Sequence, residues 1–197
     1  MRRVVLLAVL ALAGCGEARQ DADEPSGEFK VEVVEASFPE TQHVAERAEL
    51  KVTVRNGESE ERLRNVAVTV ETKPRGEDAA LAFGRNVRGA GLSSAGRPIW
   101  VLDEGPAGSD TSSVNTWSAG ELFPGQEKEL VWKVVPAKAG TYEISYRVSP
   151  GLAGKARPAA GRTSGTFTVV IEDEPVPARV NDDGEVERGG EPPGGEL

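Results

Sequence analysis

An all-β sandwich is the fold this sequence predicts, and three observations predict it. Apolar and polar residues alternate with a period of two along at least six stretches, so each extended segment turns one greasy face toward a core. Gly, Pro, Asn and Asp punctuate those stretches at short intervals, as turns between strands require. Helical periodicity is almost absent.

The chain has 197 residues, 38% hydrophobic and 28% charged, enough for one domain with a real core. Its single Cys excludes a disulfide framework within the chain, so the core must stand on packing. The net charge of −9 lies mostly at the ends. Residues 16–28 carry five acids against Arg19, and residues 173–197 carry eight acids against Arg179 and Arg188. What remains, 29–172, is nearly neutral, which gives no electrostatic case for nucleic acid or for anionic headgroups.

Met1-Arg2-Arg3 is a basic start, and Val4 to Ala13 is an apolar run of about ten residues, too short to span a membrane. Leu12-Ala13-Gly14-Cys15 follows at once. This resembles the lipobox of bacterial lipoproteins. The resemblance implies a signal peptide over 1–14, cleavage between Gly14 and Cys15, and lipidation of the Cys15 thiol, with palmitate-type chains holding the protein on the cell membrane, facing the extracytoplasmic side. Each buried methylene contributes roughly 0.8 kcal/mol, so two or more acyl chains make a firm anchor. Gly16 is not Asp, so the inner-membrane retention signal known from such proteins is missing. Residues 15–28 then read as the lipidated Cys and a flexible acidic tether, with a coil dimension on the order of 20 Å.

The strands follow in order. Phe29, Val31 and Val33 share a face; Leu50, Val52 and Val54 share the next; Val66, Val68 and Val70 the third. Asn56-Gly57 between the second and third is a turn dipeptide that predicts a hairpin with a long polar tip over 58–64. Residues 79–115 are the irregular part, an insertion with short strands expected over Ala80–Phe83 and over Pro98–Leu102, and loops over 84–96 and 103–115. Thr116–Leu122 returns the chain to the sandwich. Leu130, Trp132 and Val134 alternate with polar or mixed neighbours, then Pro136-Ala137-Lys138-Ala139-Gly140 makes a corner into Tyr142, Ile144, Tyr146 and Val148. After a Gly/Ala/Arg loop over 151–164, Phe167, Val169 and Ile171 close the core. Residues 173–197, rich in Pro, Gly and acids, read as a disordered tail.

About seven to nine short antiparallel strands of this kind predict an immunoglobulin-like sandwich over 29–172. Gly140-Thr141-Tyr142 looks like that fold's tyrosine corner, and Ile144 stands where antibody domains place a Cys. Val52-Thr53-Val54-Arg55-Asn56, Asn65-Val66-Ala67-Val68-Thr69-Val70, Trp117-Ser118-Ala119-Gly120-Glu121-Leu122-Phe123-Pro124-Gly125 and Ala139-Gly140-Thr141-Tyr142 together resemble bacterial immunoglobulin-like repeat domains. The cell-adhesion-related domain of bacteria and the surface-protein conserved repeats are the families concerned. The resemblance implies the fold and an adhesion-related setting; its motifs are turn signals and carry no chemistry.

No catalytic constellation emerges. His43 is the only histidine and lies in a polar stretch, so neither a metal site nor a Ser nucleophile with its base is indicated. Asp103, Glu104 and Asp110 offer oxygen ligands in a loop, without a cation-binding spacing. The candidate binding residues are Trp100, Arg85, Arg88, Asp103 and Asp110, all in the insertion, whose basic and then acidic halves could pair with each other. The expectation is a non-enzymatic, cofactor-free, membrane-anchored binding or scaffold module for an envelope protein or wall polysaccharide. The alternative is a carbohydrate-binding or carbohydrate-active domain that stacks sugar on Trp100 and uses the insertion acids.

Overall fold

Alternation decides which side of each strand turns inward. Along Ala48–Asn56, residues 48, 50, 52, 54 and 56 are buried and those between are half-exposed. Along Glu127–Pro136, Leu130, Trp132, Val134 and Pro136 are buried. Successive side chains on a pleated strand point to opposite faces, so these two segments need a second layer over one face only. The computed structural model describes residues 21, 24–72, 83–85, 98–113, 115–159, 161–174, 178–180, 183–184 and 186–188.

The strands of the first sheet are β2 (Val31–Ser37), β4 (Ala48–Asn56), β6 (Phe83–Arg85), β7 (Trp100–Glu104) and β10 (Glu127–Pro136), in the order β2-β4-β10-β7-β6. The second sheet holds β3 (Thr41–His43), β5 (Leu63–Thr72), β8 (Asp110–Ser113), β9 (Thr116–Leu122), β11 (Gly140–Ser149) and β13 (Ser164–Glu172), in the order β3-β13-β11-β5-β9-β8. β2, β4, β10 and β7 stand as strands A, B, E and D of an immunoglobulin sandwich, and β13, β11 and β5 as G, F and C. The fold is therefore the immunoglobulin-like all-β sandwich that the sequence predicts. Its core is one cluster from Phe29 to Ile171, with Trp100, Trp132 and Leu50 among its fully buried side chains. Trp132 Nε1 is a buried side-chain polar atom without a hydrogen-bond partner among the described residues; its ring stands edge-to-face on Trp117 at 5.4 Å.

The tyrosine corner is present. β10 and β11 lie in opposite sheets, and the chain crosses between them at Pro136–Gly140. The Tyr142 hydroxyl donates to the Ala139 carbonyl at 2.9 Å, and its ring packs edge-on against Trp100 at 5.9 Å. Gly140 has φ of 139°, and a Cβ there would meet the Tyr142 hydroxyl at 2.9 Å, so the corner needs glycine twice over.

Three expectations change. The segment from Leu50 to Val70 is not a hairpin: β4 and β5 belong to different sheets, and Asn56 is a buried crossing point rather than a turn residue. Its Nδ2 donates to the carbonyls of Leu122 and Glu61, both at 2.9 Å, and its Oδ1 accepts from the Glu58 amide at 2.9 Å. Its backbone N–H and C=O bond Gln126 and Gly125. Strands also occur inside two of the expected loops, β8 in 103–115 and β12 (Ala156–Pro158) in 151–164. Pairing is antiparallel in the body of the sandwich, but β3 on β13, β6 on β7 and β1 (Gly27–Phe29) on β12 are parallel, which brings the strands above nine. Glu24 bonds the loop after β11, and β14 (Ala178–Val180) pairs with β15 (Val186–Arg188).

The strand ends define two poles. One gathers Asn56, the 123–126 turn, the 151–156 loop and Glu24; the other gathers the 136–140 corner, the start of β7 and the end of β13. The chain thus reaches the sandwich at one pole and leaves it at the other.

Candidate functional site

At the first pole, the loop after β11 turns four backbone N–H groups toward one point. A carboxylate is the group that fits such a nest, and Glu24 supplies it. Glu24 Oε2 accepts from Leu152 at 2.7 Å and Ala153 at 2.5 Å, and Oε1 accepts from Lys155 at 2.7 Å and Ala156 at 2.8 Å. Burial pushes the Glu24 carboxyl up, and the four amide donors more than reverse it, so its pKa lies below the ordinary value. Gly151 makes the approach feasible, since a Cβ there would run into the carboxylate. Next to this clamp lies a hollow of about 450 Å³, walled by Pro25, Phe123 and Pro124 and rimmed by Glu60, Glu61, Arg62 and Arg64. Phe123 is 56% exposed, one of three large apolar side chains exposed among the described residues, with Val34 and Val170.

The insertion builds one flank. β6 is the outermost strand of the first sheet and β8 the outermost of the second, both from residues 79–115. Phe83 is buried in the core and packs on Trp117 at 5.9 Å, which bridges the two sheets at this flank. Lys128 Nζ donates to the carbonyls of Gly108 at 2.8 Å and Ala119 at 2.7 Å, fastening the return of the insertion to β9.

The structure separates the candidate residues of the sequence. Trp100 is fully buried: its Nε1 donates to Gln42 Oε1 at 2.8 Å and its ring meets Phe38 at 5.6 Å and Tyr142 at 5.9 Å. It is a core residue with no face for a sugar, which corrects its reading as a binding residue. Asp103 pairs with Arg47 at 2.9 Å, and Glu104 with Lys133 at 2.7 Å, a hydrogen bond that holds the Glu104 carboxyl below its ordinary value. Both acids thus pair with cations of the sandwich. Arg85 lies in β6 beside Leu102, and Asp110 opens β8 beside Ser118. Cys15, Gly14 and Arg88 lie outside the described residues. His43 is half-buried, its Nδ1 3.0 Å from the Glu174 carbonyl and 3.5 Å from Glu172. Among the described residues no three His, Cys, Asp or Glu side chains converge as metal ligands would.

A polar trough of about 250 Å³ runs over the outer face of the second sheet, lined by Thr69, Ser145, Ser164 and Thr166 with Glu71 and Arg147. Glu24 and Phe123 are the residues that sequence reading missed. Glu24 stands in an acidic run like any solvated tether residue, and Phe123 sits inside a turn motif of the fold.

No protein-family model matches the chain, and no curated protein does. Among solved structures it is similar to the CARDB domain of a Pyrococcus furiosus protein in complex with di-metal ions, at 18% identity over 76% of this chain and 99% of that one, with a TM-score of 0.46. It is also similar to native alpha-2-macroglobulin from Escherichia coli, from domain MG7 to the C-terminus, at 14% identity over 80% of this chain and 21% of that one, TM-score 0.43. A third is the cohesin module of a Clostridium perfringens family 33 glycoside hydrolase, at 12% identity over 74% and 99%, TM-score 0.42.

Proposed function

We propose that the chain is a membrane-anchored, extracytoplasmic binding module without catalytic activity, held through lipid on Cys15, whose binding side is the flank built by the insertion. The observation that carries the binding side is the pair of edge strands β6 and β8, both from residues 79–115 and rooted by Phe83 in the core. Edge strands present unpaired backbone groups, and an insertion so rooted presents its residues without disturbing the sandwich. The partner is an envelope protein. The carbohydrate alternative loses its stacking platform with the burial of Trp100.

The test reverses charge on the flank. The double variant Arg85→Glu with Arg88→Glu, made in chains that begin at Gly16 and so carry no lipid, is expected to keep the wild-type melting temperature and to lose at least about tenfold in retention on isolated cell envelopes, as loss of a well-placed charge pair does. Unchanged retention moves the binding side elsewhere.

A further inference from the structure

Phe123, the most exposed of the large apolar side chains among the described residues, stands at the pole where the chain reaches the sandwich. It shares a hollow with Pro25, the residue after the Glu24 clamp. Resting on the reading of Cys15 as the lipid anchor, we infer that this pole lies against the bilayer and that Phe123 and Pro124 enter its headgroup region.

The clamp decides the geometry. Nine Cα-to-Cα steps lead from Cys15 to Glu24, which span at most about 32 Å when fully extended and about 16 Å as a coil. Four charge-assisted hydrogen bonds fix the near end of that span to the 151–156 loop, so the sandwich does not hang from a free tether out to Phe29. The pole that carries Glu24 is therefore the one drawn to the membrane, and the opposite pole, with the 136–140 corner, points away.

The chemistry of the pole says what kind of lipid contact it makes. Phe123 and Pro124 form an apolar tip with no side-chain polar atoms to desolvate. The rim is close to neutral: Glu60 and Glu61 face Arg62 and Arg64, and Arg62 pairs with Glu121 at 3.1 Å. Anionic headgroups thus gain no electrostatic hold, and the contact rests on burying the ring at the interface, a depth that aromatic side chains favour. A zwitterionic bilayer should serve as well as an anionic one.

The experiment uses the full chain expressed in bacteria and recovered from the membrane fraction, as wild type and as Phe123→Trp. The native Trp100, Trp117 and Trp132 are buried, so they supply a constant background. Each protein is reconstituted in phosphatidylcholine vesicles, with and without brominated acyl chains, and again with phosphatidylglycerol added. The introduced indole is expected to be quenched about twofold or more by bromolipid, as at headgroup level, and equally in both lipid mixtures, while the wild type is not. A variant that carries lipid and floats with the vesicles while its introduced indole stays unquenched and open to acrylamide overturns the inference alone. A blue-shifted but unquenched indole points to a protein partner or a second copy at the pole and also overturns it. A protein that carries no lipid and stays out of the membrane fraction overturns the anchor reading and the inference with it.

Discussion

The Glu24 carboxylate and the Ala156 amide meet at 2.8 Å although they lie 132 positions apart in the chain, and this contact sets where the leading segment is fastened to the sandwich. Its partner loop is short, Gly-bearing and built of backbone donors, so one anion satisfies four N–H groups at once. Removing it leaves those donors to water or to nothing.

Glu24→Gln should lower stability by about 1–3 kcal/mol, the range for hydrogen bonds to a charged group, and should speed amide exchange at Leu152, Ala153, Lys155 and Ala156. The pH dependence has a definite sign. The folded pKa of Glu24 lies below its unfolded value, so its contribution is full above the unfolded pKa and fades as pH falls through the folded one. The stability gap between wild type and Glu24→Gln should therefore shrink on acidification below about pH 4.3, the ordinary Glu value. A gap that widened in acid would contradict the clamp. Urea titrations across that range decide it.

Asn56→Ala should cost about 3 kcal/mol. The substitution strands the buried carbonyl of Leu122, the carbonyl of Glu61 and the amide of Glu58, and each unsatisfied buried group costs about 1–3 kcal/mol, partly relieved by water. Asn56→Asp should also destabilise, because a carboxylate cannot donate to two carbonyls. Denaturant midpoints for both variants check this, and a loss below about 1 kcal/mol, small beside such stranded groups, is the outcome that contradicts it.

Tyr142→Phe removes one hydrogen bond and should cost about 1 kcal/mol. Gly140→Ala should cost more, since it adds left-handed strain and a contact with the Tyr142 hydroxyl. Thermal melts of the two variants should fall in that order.

Much of the fold was legible because period-two alternation maps directly onto inward and outward faces. Leu50, Val52 and Val54, and Leu130, Trp132 and Val134, are all buried with the partners such a face requires. The tyrosine corner was legible because its ring, its glycine and its backbone acceptor all lie within four residues. Asn56-Gly57 misled because a turn dipeptide reports local flexibility; what buries Asn56 is a carbonyl 66 residues away, at Leu122. Trp100 misled for the same reason. Pro98-Ile99-Trp100-Val101-Leu102 is apolar on both faces, so alternation does not orient the indole. Its burial rests on Phe38, Tyr142 and a Gln42 acceptor 58 residues upstream. Of the site, Glu24 left no trace in sequence because its partners are backbone amides, which every residue but proline possesses.

The most direct measurement of the account is the mass of the N-terminal peptide of the protein extracted from bacterial membranes. The account predicts a chain that begins at Cys15 and carries acyl groups on it, with membrane retention lost in Cys15→Ala. An unmodified Cys15 behind an intact 1–14 segment, or a cleavage point elsewhere, would contradict it.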